Sequence, residues 1–128
     1  LKRILILCTR IYKMQGTLSF IDDSQHNLIR EFNFLVEQNF KEQHSVSYYA
    51  GLLHKSPKTI TNTFKKIDEK SPLQLIHDRI LLEAKNLLHY TKRDISEIAY
   101  ELGFENVQVF SRFFKRLSGI SPTEFRLK

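Results

Sequence analysis

Two short stretches of this chain gather hydrogen-bonding side chains and cations with no carboxylate among them. From Lys55 to Lys66 the basic residues Lys55, Lys58, Lys65 and Lys66 stand without an Asp or Glu, and from Asn106 to Thr123 Arg112, Lys115 and Arg116 do the same. If both stretches are helical, a 3.6-residue period turns Ile60, Phe64 and Ile67 inward in the first and leaves Lys58, Thr61, Asn62 and Lys65 outward. In the second, Phe110, Phe114 and Leu117 face in, while Gln108, Ser111, Arg112 and Lys115 face out. Such faces suit a polyanion with readable edges. Amide and hydroxyl groups can match base edges in a major groove, cations neutralise phosphate, and no like charge repels it. Lys55, Lys65 and Lys115 are the expected phosphate contacts. A merely solvated helix face mixes both signs, as Asp78, Arg79, Glu83 and Lys85 do.

Other chemistries find less support. His26, His44, His54, His77 and His89 are scattered, with no pair spaced i, i+4 and no adjoining carboxylate constellation, so each reads as an ordinary histidine. The glycines form no phosphate-cradling loop. The sequence therefore implies no enzyme, no metal and no cofactor. A protein-binding helical module is the stronger rival, because an apolar or basic helix face can also dock a partner; salt dependence of binding separates the two.

Charge and composition agree with an anionic partner without identifying it: Lys and Arg number 20 against 14 acids, a formal net charge of +6. Cys8 is the lone cysteine, which excludes an internal disulfide and suits a reducing, cytoplasmic setting. The apolar run Ile4 to Cys8 is far shorter than the roughly 20 residues a membrane span needs, and no signal-peptide cleavage pattern follows it. No membrane partner is expected. The chain begins with Leu1 rather than Met, so it is expected to be part of a longer protein.

The elements that must hold the two faces are almost entirely helical. Leu1 to Gln15 carries an apolar stripe of Ile4, Leu7, Cys8 and Ile11; Gly16 to Ser24 reads as a linker, with Asp22, Asp23 and Ser24 offering an N-cap. Pro57, Pro72 and Pro122 each follow a serine, the pairing expected at a helix start. Ser121 with Glu124 and Asp94 with Glu97 have capping-box spacing. Helices are thus predicted over about Leu28 to Asn39, Val46 to Leu53, Pro57 to Ile67, Pro72 to Tyr90, Ile95 to Leu102, Val107 to Leu117 and from Pro122 onward.

An internal repeat organises these helices. At a separation of 49, Val46, Ser47, Tyr49, Ala50 and Leu53 align with Ile95, Ser96, Ile98, Ala99 and Leu102. After one extra residue, Ile60, Thr61, Phe64, Lys65, Lys66 and Ile67 align with Phe110, Ser111, Phe114, Lys115, Arg116 and Leu117. A match spanning two helices, a turn and the following Ser-Pro is a structural duplication. Each copy is a short helix, a tight turn and a longer helix, the helix-turn-helix plan. Ala50 and Ala99 let the second helix cross close, and Gly103 fits a left-handed turn that His54 must adopt at some strain. The expected fold is all-α: two helix-turn-helix, homeodomain-like subdomains, about 46–67 and 95–117, joined by a long central helix over about 72–90. About seven helices and an N-terminal helix make up the whole, with residues 1–24 as one region and 25–128 as the domain. The central helix, about 28 Å long at 1.5 Å per residue, suits two readers held about one DNA turn apart.

The run Ile95-Ser96-Glu97-Ile98-Ala99, Leu102-Gly103-Phe104, Phe110-Ser111-Arg112-Phe113-Phe114-Lys115, Gly119-Ile120-Ser121-Pro122 and Phe125-Arg126 resembles the signature of the AraC family of transcriptional regulators. Arg79, Ala84 and Phe64-Lys65-Lys66 fit it too, over about Leu28 to Lys128. It departs at Asp68-Glu69, where a glycine is frequent, and at Val109, where an aromatic is usual. The resemblance implies a sequence-specific regulator that places one recognition helix from each unit in successive major grooves of double-stranded promoter DNA. Lys58, Thr61 and Asn62 would then contact bases from the first unit, and Val107, Gln108, Ser111 and Arg112 from the second. It further implies RNA polymerase as a partner and a small-molecule effector acting through an upstream domain. The N-terminal helix resembles the last helix of that upstream ligand and dimerisation domain. Ile4, Leu7, Cys8 and Ile11 would form a homodimer seam, or else pack against their own domain.

Overall fold

The computed structural model describes residues 20–67 and 70–128. Among them there are seven helices and no strand: α1 (Phe20–Asn39), α2 (Val46–Leu52), α3 (Pro57–Ile67), α4 (Pro72–Tyr90), α5 (Ile95–Glu101), α6 (Val107–Ser118) and α7 (Pro122–Leu127). The N-terminal stripe of Ile4, Leu7, Cys8 and Ile11 lies outside the described residues, as does the Asp68-Glu69 departure.

Serine and asparagine caps start most of these helices. The Oγ of Ser71 accepts the Gln74 amide at 3.1 Å and that of Ser121 the Glu124 amide at 3.2 Å, each with proline in the first turn. Ser56 accepts the Thr59 amide at 3.1 Å ahead of α3, and Asn106 accepts the Val109 amide at 2.9 Å ahead of α6. The expected box at Asp94 does not form: Asp94 has N-cap backbone geometry but its side chain makes no capping bond. Its carbonyl alone accepts the first helical amide, from Ile98 at 3.0 Å. The first helix also starts earlier than expected. Asp22, Asp23 and Ser24 lie inside α1 rather than capping a helix near Leu28, and no Gly or Pro between Phe20 and Leu28 would break it.

The repeat predicted from sequence is a structural one. In unit 1 (α2–α3) the Lys55 amide donates to the Ala50 carbonyl at 3.0 Å, and in unit 2 (α5–α6) the Phe104 amide donates to Ala99 at 3.0 Å. The left-handed residue falls at the same place in both turns, His54 at φ 56° and Gly103 at φ 84°. Ala50 and Ala99 are both buried, where a larger side chain would hold the crossing helices apart. Ile76, Ile80, Ala84, Leu87 and Leu88 of α4 are buried as a stripe that serves both units, and all the buried apolar residues join one cluster. Each Ile, Leu, Val or Phe side chain so taken out of water contributes about 1.5–3 kcal/mol.

One inward residue was misassigned by periodicity. Leu117 is 37% exposed, and Phe113, at 8%, takes the inward place. Phe113 is drawn in by aromatic partners: its ring lies 5.1 Å from Phe104 and edge-on to His77 of α4 at 5.2 Å. The stripe on α6 is therefore wider than that on α3, where the corresponding Thr63 is buried and donates to the Thr59 carbonyl at 2.9 Å.

Candidate nucleic-acid interface

The two recognition helices are held by their inward faces. In unit 1, Ile60 and Phe64 are fully buried, and the Phe64 ring meets Phe32 of α1 edge-on at 5.2 Å. In unit 2, Phe110 and Phe114 are fully buried, with Phe110 against Phe104 at 5.3 Å and Phe114 against Phe125 of α7 at 5.5 Å. These anchors leave the opposite faces to solvent. Lys58, Asn62 and Lys65 are exposed on α3 and Thr61 is half-buried beside them; Lys55 is exposed in the preceding turn. On α6, Gln108, Arg112 and Lys115 are exposed while Val107 and Ser111 are half-buried. Each set shares one helix face, so a groove-bound helix could present its polar members together.

Charge pairing separates these cations from four others among the described residues. Arg79 is bound by Glu37 and Glu83 and lies 4.2 Å over the Phe40 ring; Lys41 and Arg93 pair with Glu101, and Lys70 pairs with Asp78. Those cations hold the fold together. Among the described residues, Lys55, Lys58, Lys65, Lys66, Arg112, Lys115 and Arg116 make no ion pair. Neither recognition helix has an acid in its first turn, and both carry two cations in the last, Lys65 with Lys66 and Lys115 with Arg116. A phosphate backbone thus meets positive charge with no internal carboxylate to displace. Lys66 and Arg116 were not among the expected contacts, although the repeat alignment had already paired them.

Arg126 is a further residue whose role could not be read from spacing. Its guanidinium donates to the carbonyls of Leu88 (3.1 Å), Thr91 (3.3 Å) and Arg93 (2.5 Å), gripping the end of α4 and the segment leading to α5. A cation at a helix C-terminus is favourably placed, and this one ties α7 to the start of unit 2. Burial lowers the His44 imidazole from the ordinary histidine range, opposed by hydrogen bonding to the Leu102 and Phe40 carbonyls. His77 is lowered chiefly by burial, then by the positive charges of Arg116 and His44, with Asp78 opposing. No cluster of potential metal ligands occurs among the described residues, and no described helix is long and apolar enough to cross a membrane.

A helix-turn-helix domain family matches residues 49–128, the span from the first unit to the chain's end. The chain belongs to the AraC family of DNA-binding transcriptional regulators. Solved AraC-type domains share its fold. A transcriptional regulator with an AraC-type DNA-binding domain from Chromobacterium violaceum superposes with a TM-score of 0.70 at 25% identity, over 82% of this chain and 94% of that one. The DNA-binding domain of the global transcriptional factor AdpA, solved with a target DNA, superposes at 0.68 with 26% identity over 78% of this chain and 89% of that one. Among curated relatives, the Bacillus subtilis bifunctional transcriptional activator/DNA repair enzyme AdaA is 31% identical over 105 residues, 82% of this chain and 48% of that protein. The chain spans less than half the length of that relative. The match covers the part of these regulators that is their DNA-binding domain.

Proposed function

We propose that this AraC-type domain reads an asymmetric duplex site, α3 occupying one major groove and α6 the next. Lys58, Thr61 and Asn62 contact bases in one half-site, and Val107, Gln108, Ser111 and Arg112 in the other; Lys55, Lys65 and Lys115 contact phosphates. The observation that carries this reading is the sorting of charge: the cations of the two outward faces lack ion pairs and have no acid in either helix's first turn, while Lys41, Lys70, Arg79 and Arg93 away from them are paired with carboxylates. Groups so unpaired are ready to exchange counterions for phosphate. The protein acts in the cytoplasm on promoter DNA, and the activator in the name of AdaA supports an activating role with RNA polymerase as partner. An upstream domain would carry effector binding, and Ile4, Leu7, Cys8 and Ile11 a homodimer seam.

Binding to a promoter duplex selected from a random pool tests the reading. Log affinity is expected to fall linearly with log salt, with a slope of about −0.9 for each phosphate neutralised. Lys65→Ala should weaken all duplexes alike and reduce that slope by about one. Binding indifferent to salt would refute the proposal in favour of a protein-docking module.

A further inference from the structure

The two units are joined by more than α4. The loop between α1 and α2 reaches across to the turn of unit 2. The Lys41 carbonyl oxygen lies only 2.3 Å from where a Cβ on Gly103 would stand, so glycine is required there by crowding as well as by its φ of +84°. His44 Nε2–H donates to the Leu102 carbonyl at 2.7 Å, and its ring tilts against Phe104 with centroids 5.0 Å apart. Lys41 Nζ pairs with Glu101 at 3.3 Å, and Glu101 also holds Arg93 at the entry to α5. Backbone, ring and charge thus meet at one joint between segments about sixty residues apart in sequence. The corresponding turn of unit 1 has no such brace: among the described residues, its closing hydrogen bonds are those within its own backbone.

We propose that the Lys41–His44 loop is a positioning latch, which sets α6 relative to α3 and thereby fixes the spacing and rotational phase of the two half-sites this domain accepts. On the α4 side, unit 2 is held by Phe113 against His77 and by Arg126 at the Thr91–Arg93 link. The loop that enters α2 adds a second, separate attachment at the turn of unit 2, and two attachments fix an orientation that one leaves adjustable. Each base pair inserted between half-sites shifts the second by about 3.4 Å and turns it by about 34°. A latched pair of readers cannot follow such a change, whereas an unlatched pair can. His44 and Glu101 act through the placement of α6 and touch no DNA themselves.

The test uses the 128-residue chain and a duplex selected on it from a random pool, remade with one or two base pairs inserted or removed between the halves. The parent is expected to lose on the order of tenfold in affinity per changed base pair, and His44→Ala less than about threefold. A second reading needs no DNA: spin labels at Ser47→Cys and Ser96→Cys, with Cys8→Ser, report the distance between units. The distribution should be narrow in the parent and broadened by His44→Ala. A uniform loss across all spacings with unchanged label distances would overturn the proposal. If His44→Ala loses its helical circular dichroism, Glu101→Gln takes the same two measurements, and a parental spacing profile there overturns it as well.

Discussion

Unit 1 and unit 2 carry the same backbone motif on different supports. Unit 1 borrows its packing: Phe64 and Tyr49 close on Phe32 of α1 at 5.2 and 5.6 Å, and its turn is held open at a strained His54. Unit 2 supplies much of its own, through Phe104, Phe110, Phe113 and Phe114, with Phe125 of α7 behind them and glycine in its turn. Their outward faces differ as well, Lys, Thr and Asn on one against Gln, Ser and Arg on the other. A duplicated scaffold has kept the inward geometry that positions a helix and diversified both what buttresses it and what it can read.

The largest expected effect asks whether the two supports are independent. Phe110→Ala and Phe64→Ala should each cost about 3–5 kcal/mol, the usual range for emptying a buried phenylalanine site. Because both rings belong to one continuous core through α4, either variant should unfold in a single transition displaced to lower denaturant. A second transition that keeps its parental midpoint would show that the units fold separately.

A smaller effect tests the difference between the turns. His54→Gly relieves a left-handed conformation that costs a side-chain-bearing residue about 1–2 kcal/mol, offset in part by the greater unfolded freedom of glycine. A net gain of about 0.5–1 kcal/mol in denaturant unfolding is expected. Loss of stability would mean that the His54 side chain makes a supporting contact, and that the turns are more alike than their sequences.

The mildest effect concerns pH, and it falls on two half-buried histidines that pack against unit 2, His44 on Phe104 and His77 on Phe113. Burial lowers His44 and His77 from 6.5 in the folded chain, so both stay neutral there while the unfolded chain takes up protons. Their contribution to stability is full above 6.5 and declines as the pH drops, until the folded imidazoles protonate too. The melting temperature should hold from pH 8 to 7 and decline between 6.5 and 5.5, and His77→Gln should flatten the decline. A melting temperature that rises on acidification would contradict the burial of these rings.

Much of this was legible in the sequence because it is local. Ser-Pro pairs mark helix starts through a cap and a fixed backbone angle, and the 49- and 50-residue register located both units. The faces of α3 and α6 followed from periodicity, apart from Leu117 and Phe113. That exchange depended on His77 of another helix, which no spacing within α6 could reveal. The start of α1 was hidden because Asp22, Asp23 and Ser24 have the composition of a cap wherever they occur. The roles of Arg126 and His44 were hidden because both donate to backbone carbonyls, which leave no signature in side-chain sequence, and the Lys41–Glu101 pair joins residues sixty positions apart, beyond any local spacing.

The central claim is that two unlike readers impose a direction on DNA. Selection from random duplexes with the parent, Asn62→Ala and Arg112→Ala tests it directly. The parent should enrich a non-palindromic site with two dissimilar halves. Asn62→Ala should relax preference in one half only and Arg112→Ala in the other, each losing on the order of 1–3 kcal/mol. A palindromic site, or both variants relaxing the same half, would contradict the account.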